Sequence, residues 1–296
     1  MALTGVLNLN KPPDETSFAM VSLARRLSGQ KRVGHAGTLD PLATGVLLLL
    51  FGQATRISEY LLNLPKTYLV TVSLGVSTNT YDAHGSPTSE VDPSSVTEAA
   101  IRSALLEFVG EIEQVPPAHS AVKVAGQPAY KLARRGSELR LPPRRVSIYG
   151  IELRSYEPPD VMLEVQCGRG VYIRSLAHDL GQRIGCGGHV SALVRTRIGH
   201  FPLEDAVIVE ELPNVLSDVG RGRIQTIPQA LRHLPRLEVT PLEVERLRRG
   251  LALPAASSSE PDAIRLAVGQ DEEAVAIVRI QADSAAWMPQ KVFASG

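Results

Sequence analysis

Apolar residues recur along the first third of the chain at the spacings of strands. Continuous or alternating apolar runs are typical of strands, because successive side chains point to opposite faces of a sheet. In the last such run, Tyr68, Val70 and Val72 fall on one face. The sequence predicts strands in this part of the chain at 3–10, 46–51 and 66–72.

The sequence predicts a short helix that ends at 61–64, and capping residues predict two longer helices in the first 110 residues. The first is capped at Thr16 or Ser17 and ends at Gly29. Ser95–Glu98 has the spacing of a capping box, in which the two side chains hydrogen-bond each other's backbone N–H groups. It predicts a second helix over 99–109.

The rest of the chain carries weaker patterns of the same two kinds. The segments 75–85 and 185–189 lack an apolar period and are predicted to be a loop and a turn. Pro241 directly after Thr240 predicts a helix start, since proline is favoured in the first helical turn. The remaining predicted strands are 120–124, 146–153, 161–167, 263–268 and 274–280, the last two forming a hairpin.

Length and composition limit the class of protein. A chain of 296 residues, 44% of them hydrophobic, can bury a large core and is long enough for two domains. No apolar run reaches the length that crosses a membrane, and the first residues do not read as a signal peptide. Cys167 and Cys186 stand alone and are expected to pack as small apolar groups. These features predict a cytoplasmic protein.

Charge is balanced overall but unevenly distributed. The 31 basic and 31 acidic residues cancel, and a neutral sum does not itself suggest binding to nucleic acid. The segment 120–154, however, sets a basic cluster against only Glu138 and Glu152. Such a cluster can bind phosphate groups, and it is equally consistent with a solvated basic surface. The basic residues are Lys123, Lys131, Arg134, Arg135, Arg140, Arg144, Arg145 and Arg154.

A single carboxylate, Asp40, lies between a glycine-containing loop and the apolar run 46–51. Pro41 disfavours the α region for Asp40, so a stiff turn presents the side chain. A carboxylate held in this way can serve as a nucleophile or a general base. Asp-Pro is also a common turn dipeptide, so the residues alone leave both interpretations open.

The residues around Asp40 resemble the catalytic motif of a known enzyme family. From Gly34 to Gly45 they read Gly-His-Ala-Gly-Thr-Leu-Asp-Pro-Leu-Ala-Thr-Gly. This run is similar to the catalytic motif of the TruB family, the tRNA pseudouridine-55 synthases. Consecutive matches of this length are far more specific than a spaced glycine pattern. The resemblance continues in order across roughly the first two thirds of the chain.

The resemblance implies a set of active-site residues. Asp40 is expected to be the catalytic carboxylate, Arg174 to pair with it, and Asp82 to pair with the arginine. Tyr68 is expected to stack on the target uracil, because a flipped base loses the stacking it had in the RNA. The further substrate-binding residues that the resemblance implies are His35, Lys11, Tyr172 and Leu193.

The resemblance also implies a fold and a division into domains. It implies an α+β fold, in which a mixed, mainly antiparallel sheet forms a pseudouridine synthase catalytic domain over 1–235. A basic RNA-binding insertion, the thumb, is expected at about 118–148. Residues 236–296 are expected to form a small β-rich, PUA-like RNA-binding domain. The thumb residues expected to contact phosphates are Lys123, Lys131 and Arg135.

Together these features predict isomerisation of uridine to pseudouridine at position 55 in the T loop of tRNA. The base is flipped out, and Asp40 is expected to assist cleavage of the N-glycosidic bond before C5 is re-attached. The reaction involves no redox or carrier step, so no cofactor is implied. The turn 185–189 has no second Cys/His group at ligand spacing, so no metal is expected. No obligate protein partner is expected, and the protein is expected to be a monomer.

Two other classes of function compete with this prediction. A non-catalytic RNA-folding module needs the basic surface but not Asp40. A glycosidase-like hydrolase normally uses two carboxylates, and only Asp82 accompanies Asp40 in a matched motif. Asp82 has an expected partner in Arg174, which weighs against the hydrolase. An inactive relative would be expected to lose one of the four matched active-site residues, and all four are present, so the isomerase is favoured.

Overall fold

The computed structural model describes residues 3–120, 122–124, 126–129, 132, 141–217, 221–255, 262–281 and 285–294. Helices with described bounds are α1 (Ser17–Ser28), α2 (Ser58–Leu62), α3 (Glu98–Leu105), α4 (Ile173–Ile184), α5 (Leu212–Val215), α6 (Ile227–Ala230) and α7 (Pro241–Arg248). The first strands are β1 (Gly5–Lys11), β2 (Val33–Ala36), β3 (Thr44–Phe51), β4 (Lys66–Leu74), β5 (Val76–Thr78), β6 (Pro87–Glu90), β7 (Gly110–Gln114), β8 (Lys123–Val124) and β9 (Gln127–Pro128). The later strands are β10 (Arg144–Glu157), β11 (Asp160–Cys167), β12 (Gly188–Ile198), β13 (Phe201–Pro202), β14 (Arg236–Glu238), β15 (Leu253–Pro254), β16 (Ile264–Val268), β17 (Ala274–Gln281) and β18 (Ala286–Val292).

Nine of the described strands form the central sheet. Its order is β1-β3-β12-β4-β11-β10-β7, with β2 also paired to β3 and β13 to β12. Strands β3 and β12 run parallel, whereas the other neighbouring pairs run antiparallel. The predicted mixed, mainly antiparallel α+β fold is therefore confirmed.

The alternation predicted for β4 decides which face of the sheet is buried. Tyr68, Val70 and Val72 all lie in the core, while the intervening residues are partly exposed. The same core includes Leu163 of β11 and Leu176 of α4. Burying a side chain of this size stabilises a fold by about 1.5–3 kcal/mol. The packed face of β4 therefore fixes the position of the sheet against α4.

The predicted ends of α1 are confirmed, whereas the predicted cap of α3 is wrong. The Thr16 hydroxyl accepts a hydrogen bond from the N–H of Ala19, and Gly29 ends α1 with a φ of 67°. Helix α3 is capped by Thr97 rather than by the predicted box at Ser95. The N–H of Val96 donates to the carbonyl of Pro93, so residues 93–96 form a turn and the helix starts after it.

Several predicted boundaries also differ from the structure. The predicted loop 75–85 begins with β5, which pairs with β6. Among the described residues of the predicted strand 120–124, those in a strand form β8. The strand β12 was not predicted at all, because bulges between Val190 and Ala192 and between Arg195 and Arg197 interrupt its alternation.

The C-terminal residues form a second sheet of five strands in the order β14-β16-β17-β18-β15. The predicted hairpin is confirmed as β16 and β17, and Thr240 caps α7 in a capping box with Glu243. Leu48 and Leu50 of β3 share a core cluster with Ile277 of β17. The second sheet therefore packs directly on the central one.

The cysteines agree with what composition predicts for their packing, and the described helices are relevant to membrane spanning. Cys167 and Cys186 are both buried and carry free thiols. Burial raises the pKa of Cys167 to about 12. Among the described helices, none combines the length and the apolar character required to span a membrane.

Candidate active site

Asp40 and Arg174 meet as a two-point ion pair. The Arg174 Nε lies 2.9 Å from the Asp40 Oδ2, and the Arg174 Nη2 donates to the Asp40 Oδ1 over 3.1 Å. The Arg174 side chain is 5% exposed and that of Asp40 is 38% exposed. A hydrogen bond and a close charge contact with a buried guanidinium together restrain the orientation of a carboxylate. Asp40 is therefore held on one side and open to solvent on the other.

The remaining contacts of Arg174 connect it to Asp82. The Arg174 Nη1 lies 3.2 Å from the Asp82 Oδ2 and donates to the carbonyl of Thr80 over 2.9 Å. The Arg174 Nη2 also donates to the carbonyl of His119 over 3.0 Å. The Asp82 Oδ1 accepts from the Thr80 hydroxyl at 2.6 Å and from the N–H of His84 at 3.1 Å. One buried guanidinium thus contacts two carboxylates.

The start of α4 is tied to the edge strand of the sheet, and this fixes Arg174. The Gln114 side chain donates to the carbonyl of Tyr172 over 3.0 Å and accepts from its N–H over 2.8 Å. The Ser175 hydroxyl donates to the carbonyl of Val115 over 2.7 Å. Because a helix start leaves backbone groups without helical partners, these bonds determine where the first turn lies.

The side chains of Ser17 and Lys11 form hydrogen bonds with the backbone of the turn that carries Asp40. The Ser17 hydroxyl accepts from the N–H of Leu39 at 2.8 Å and lies 3.1 Å from its carbonyl oxygen. The Lys11 ammonium donates to the carbonyl of Pro41 over 3.1 Å and to two further backbone carbonyls. Lys11 is fully buried, and burial lowers its pKa to about 8. It lies behind the turn and does not line the adjacent cleft.

A cleft of about 280 Å³ opens beside Asp40. Tyr68, which was predicted to stack on the base, lies along it, and so do the predicted substrate-binding residues Tyr172 and Leu193. The complete lining is Gly37, Thr38, Leu39, Asp40, Leu62, Lys66, Tyr68, Ser120, Gly168, Arg169, Gly170, Val171, Tyr172, Ile173, Arg174, Leu193 and Arg195. The structure therefore brings the predicted carboxylate, arginine and tyrosine to one concave site.

Arg195 is a buried cation in this cleft that sequence reasoning missed. It is 1% exposed. Its Nε donates to the carbonyl of Val46 and its Nη2 to that of Gly37, each over 2.7 Å. Its Nη1 donates to the hydroxyl of Tyr68 over 3.4 Å. Arg195 therefore connects β3, the glycine loop and the ring of Tyr68.

Lys66 is a second cation that sequence reasoning missed. Its ammonium donates to the carbonyls of Leu62 and Leu64, each over 2.6 Å, and the residue lines the cleft. Burial lowers the pKa of Lys66 to about 8, and the nearby Arg195 contributes to this shift. A lysine directly after a loop gives no sequence signal for burial, since most lysines in such positions are solvated.

The other predicted substrate-binding residues lie outside the cleft or outside the described residues. His35 lies in β2 and is half-buried, its Nδ1 has no described hydrogen-bond partner, and burial lowers its pKa. For Lys123 only the backbone is described, as part of β8. The predictions for Lys131 and Arg135 fall outside the described residues. Contact of these residues with RNA stays a prediction.

The geometry is suited to chemistry that needs one anchored carboxylate beside an aromatic ring. Asp40 faces a cleft whose walls include Tyr68, Leu193 and the aliphatic Val171. Its orientation is fixed before any ligand binds, which favours a reaction with developing positive charge near the carboxylate. Among the described residues, no cluster of His, Cys, Asp and Glu side chains could hold a metal ion.

Comparison with known proteins gives matches to one family over most of the chain. Residues 25–173 match the family described as TruB family pseudouridylate synthase (N terminal domain). Residues 174–243 match the tRNA pseudouridylate synthase B C-terminal domain.

Two curated relatives carry the name tRNA pseudouridine synthase B. The one from Dehalococcoides mccartyi (strain ATCC BAA-2266 / KCTC 15142 / 195) is 41% identical over 99% of this chain and 97% of its own length. The one from Ralstonia pickettii (strain 12J) is 43% identical over 91% of this chain and 88% of its own length.

Two solved structures share the fold along nearly the whole chain. One is described as an H/ACA RNP bound to a substrate RNA containing 2'-deoxyuridine; it has a TM-score of 0.76 and 28% identity, and the match covers 99% of this chain and 86% of the other. A chain of a Cbf5-Nop10-Gar1 complex has a TM-score of 0.75 and 29% identity, with 98% and 84% covered.

Proposed function

The chain belongs to the TruB family of pseudouridylate synthases, and on that premise we propose that it converts uridine 55 in the T loop of tRNA to pseudouridine. The substrate class follows from relatives that are named tRNA pseudouridine synthase B. The observation that carries the proposal furthest is the anchored Asp40 carboxylate beside Tyr68 in one cleft.

The reaction moves a glycosidic bond from nitrogen to carbon within one nucleotide. The N1–C1′ bond of the uridine breaks, the base turns in the site, and a C5–C1′ bond forms. The hydrogen on C5 then leaves as a proton, and N1, which carries no hydrogen in uridine, takes up a proton. Both the attack of Asp40 on the ribose and its removal of a ribose proton need its carboxylate within reach of the sugar.

Each residue of the site has a part in this proposal. Tyr68 stacks on the flipped uracil and retains it after the bond to ribose breaks. Arg174 aims the Asp40 carboxylate, and Asp82 fixes the arginine. Arg195 holds the Tyr68 ring through its hydroxyl. Tyr172 and Leu193 supply apolar contacts to the base.

The RNA outside the cleft is bound by surfaces rich in cations. We assign phosphate contacts to the thumb residues Lys123, Lys131 and Arg135 and a position near the flipped nucleotide to His35. The region after residue 235 acts as an RNA-binding domain. The protein acts in the cytoplasm as a monomer without an obligate protein partner, since tRNA supplies the whole substrate.

Mapping of the modified nucleotide tests the position. An unmodified tRNA transcript is treated with the protein and labelled with a carbodiimide reagent that stays on pseudouridine, and primer extension then locates the label. We expect one stop, next to position 55, and no stop in a transcript with cytidine at that position. A stop elsewhere in the tRNA would contradict the assigned position while leaving the isomerase activity in place.

A further inference from the structure

The ring of Tyr81 is stacked on the ring of His178, and this contact joins the Asp82 turn to α4. The ring centroids are 3.9 Å apart and the planes differ by 11°. His178 lies four residues after Arg174 in the same helix, so the two side chains lie on one face of α4. A single helix therefore carries both the arginine of the site and the partner of Tyr81.

Tyr81 lies between the two groups that hold one nitrogen atom of Arg174. The Arg174 Nη1 donates to the carbonyl of Thr80 and lies 3.2 Å from the Asp82 Oδ2. The other two guanidinium nitrogens face Asp40. A guanidinium is planar and rigid. A displaced Thr80–Asp82 turn would therefore rotate the guanidinium plane of Arg174 and move the Asp40 carboxylate with it.

The backbone of Tyr81 is held in a conformation that needs support. Its φ is 63°, in the left-handed region that residues other than glycine rarely adopt. The carbonyl of Tyr81 accepts from the N–H of Val190 over 3.0 Å, which secures the C-terminal side of the turn. The stack on His178 secures the side chain.

The ring of His178 can take this role because one of its nitrogen atoms is not engaged in a described hydrogen bond. Its Nδ1 is buried and has no hydrogen-bond partner in the part of the chain that the structure describes. Burial lowers the pKa of His178, which favours the neutral imidazole. Neither His178 nor Tyr81 lines the cleft.

We propose that the Tyr81–His178 stack is a positioning device for the Asp40 carboxylate, acting through Asp82 and Arg174. This inference rests on the proposed function, since it concerns the reaction at Asp40. Because both rings lie away from the cleft, their loss changes the rate of the chemical step and not the contacts made with RNA. The stack therefore affects kcat and leaves KM nearly constant.

Variants that remove one ring test the proposal. Tyr81→Asn keeps a residue that tolerates a positive φ but removes the ring, and His178→Leu removes the other ring. Tyr81→Phe and His178→Phe are the matched controls, since each retains an aromatic ring. The measurement is steady-state release of tritium from tRNA labelled at C5 of uridine, expressed per folded enzyme, with the melting temperature recorded for each variant.

We expect kcat to fall about tenfold in Tyr81→Asn and in His178→Leu, since small misplacements of a catalytic group are costly. KM should stay within about twofold, and the two phenylalanine variants should retain normal kcat. The double variant should lose no more activity than either single variant, because all three lack the same ring stack.

Two results would overturn the inference. One is a normal kcat per folded enzyme in Tyr81→Asn and His178→Leu with only a lower melting temperature, which means that the stack serves stability alone. The other is a double variant whose loss of kcat is the product of the two single losses, since that requires independent roles. Absence of tritium release by the wild type would instead contradict the proposed function, and the positioning role with it.

Discussion

At the scale of single residues, the site depends on buried cationic side chains. Arg174 faces two carboxylates, whereas the described hydrogen bonds of Arg195 go to neutral oxygen atoms. Burying a charge is costly unless its polar atoms are paired. Arg195 meets this condition by donating hydrogen bonds to two carbonyls and to the Tyr68 hydroxyl. Its guanidinium therefore fixes the relative positions of the elements that line the cleft.

Replacing Arg195 with methionine should therefore destabilise the protein by about 2 kcal/mol or more, because the carbonyl of Gly37 and the hydroxyl of Tyr68 lose a buried donor. Urea denaturation measures the effect. Arg197→Met is the matched control, since Arg197 is exposed two residues further along the same strand and should change stability by no more than about 0.5 kcal/mol. Equal stability of the two variants would show that the hydrogen bonds of Arg195 do not support the fold.

At the scale of elements, the site depends on the parallel pairing of β3 with β12. Gly45 has a φ of 95°, and a Cβ built there would lie 2.3 Å from the carbonyl oxygen of Arg195. The glycine at the end of the Asp40 motif is thus required by the backbone of a neighbouring strand. It lets β12 approach closely enough for Arg195 to reach the glycine loop.

Gly45→Ala should consequently destabilise the protein by more than about 3 kcal/mol, because one strand must move. Gly29→Ala is the control for the backbone strain alone, since Gly29 also has a positive φ but no atom lies within 4 Å of its Cβ position. That control should cost about 1–2 kcal/mol. Chemical denaturation of both variants measures the difference in stability. A Gly45→Ala variant that is at least as stable as the control would contradict the close approach of β12 to Gly45.

Sequence reasoning was successful where local signals and the final fold agree. The Thr16 cap, the alternation about Tyr68 and the hairpin of β16 and β17 all depend on neighbours in the chain. The meeting of Asp40 with Arg174, which are 134 residues apart, followed from the family resemblance, because no local pattern encodes such a distance.

The failures have a tertiary cause. Two bulges break the period-two alternation of β12, so the sequence does not indicate a strand there. Without that strand the burial of Arg195 could not be inferred. Lys11 has the sequence position of a solvated lysine, yet three backbone carbonyls surround its ammonium. The false capping box at Ser95 has the right spacing, but a turn uses those residues before the helix begins.

At the scale of the whole molecule, the second sheet is packed against the strands that support the site. It shares a core cluster with β3, the strand that follows the Asp40 turn. An RNA held by the second sheet would therefore be placed relative to the cleft by packed elements. The thumb is the other proposed RNA surface, and its contribution is best measured by its charges.

Removing the charges of Lys123, Lys131 and Arg135 by alanine substitution should weaken tRNA binding. The slope of log affinity against log salt should flatten by about one unit for each phosphate that is no longer neutralised. Binding measured across a salt series checks this, and Arg102→Ala provides a control because Arg102 pairs with Glu98 on α3. A slope equal to that of the wild type would assign the phosphate contacts to another surface.

The central claim is that Asp40 carries out the isomerisation of a tRNA uridine, and release of tritium from C5-labelled tRNA measures it most directly. The wild type should release tritium, whereas Asp40→Asn should release none while its affinity for tRNA stays within a few fold. Asp92→Asn, which changes an exposed turn carboxylate, should behave as the wild type. Normal turnover by Asp40→Asn would contradict the account.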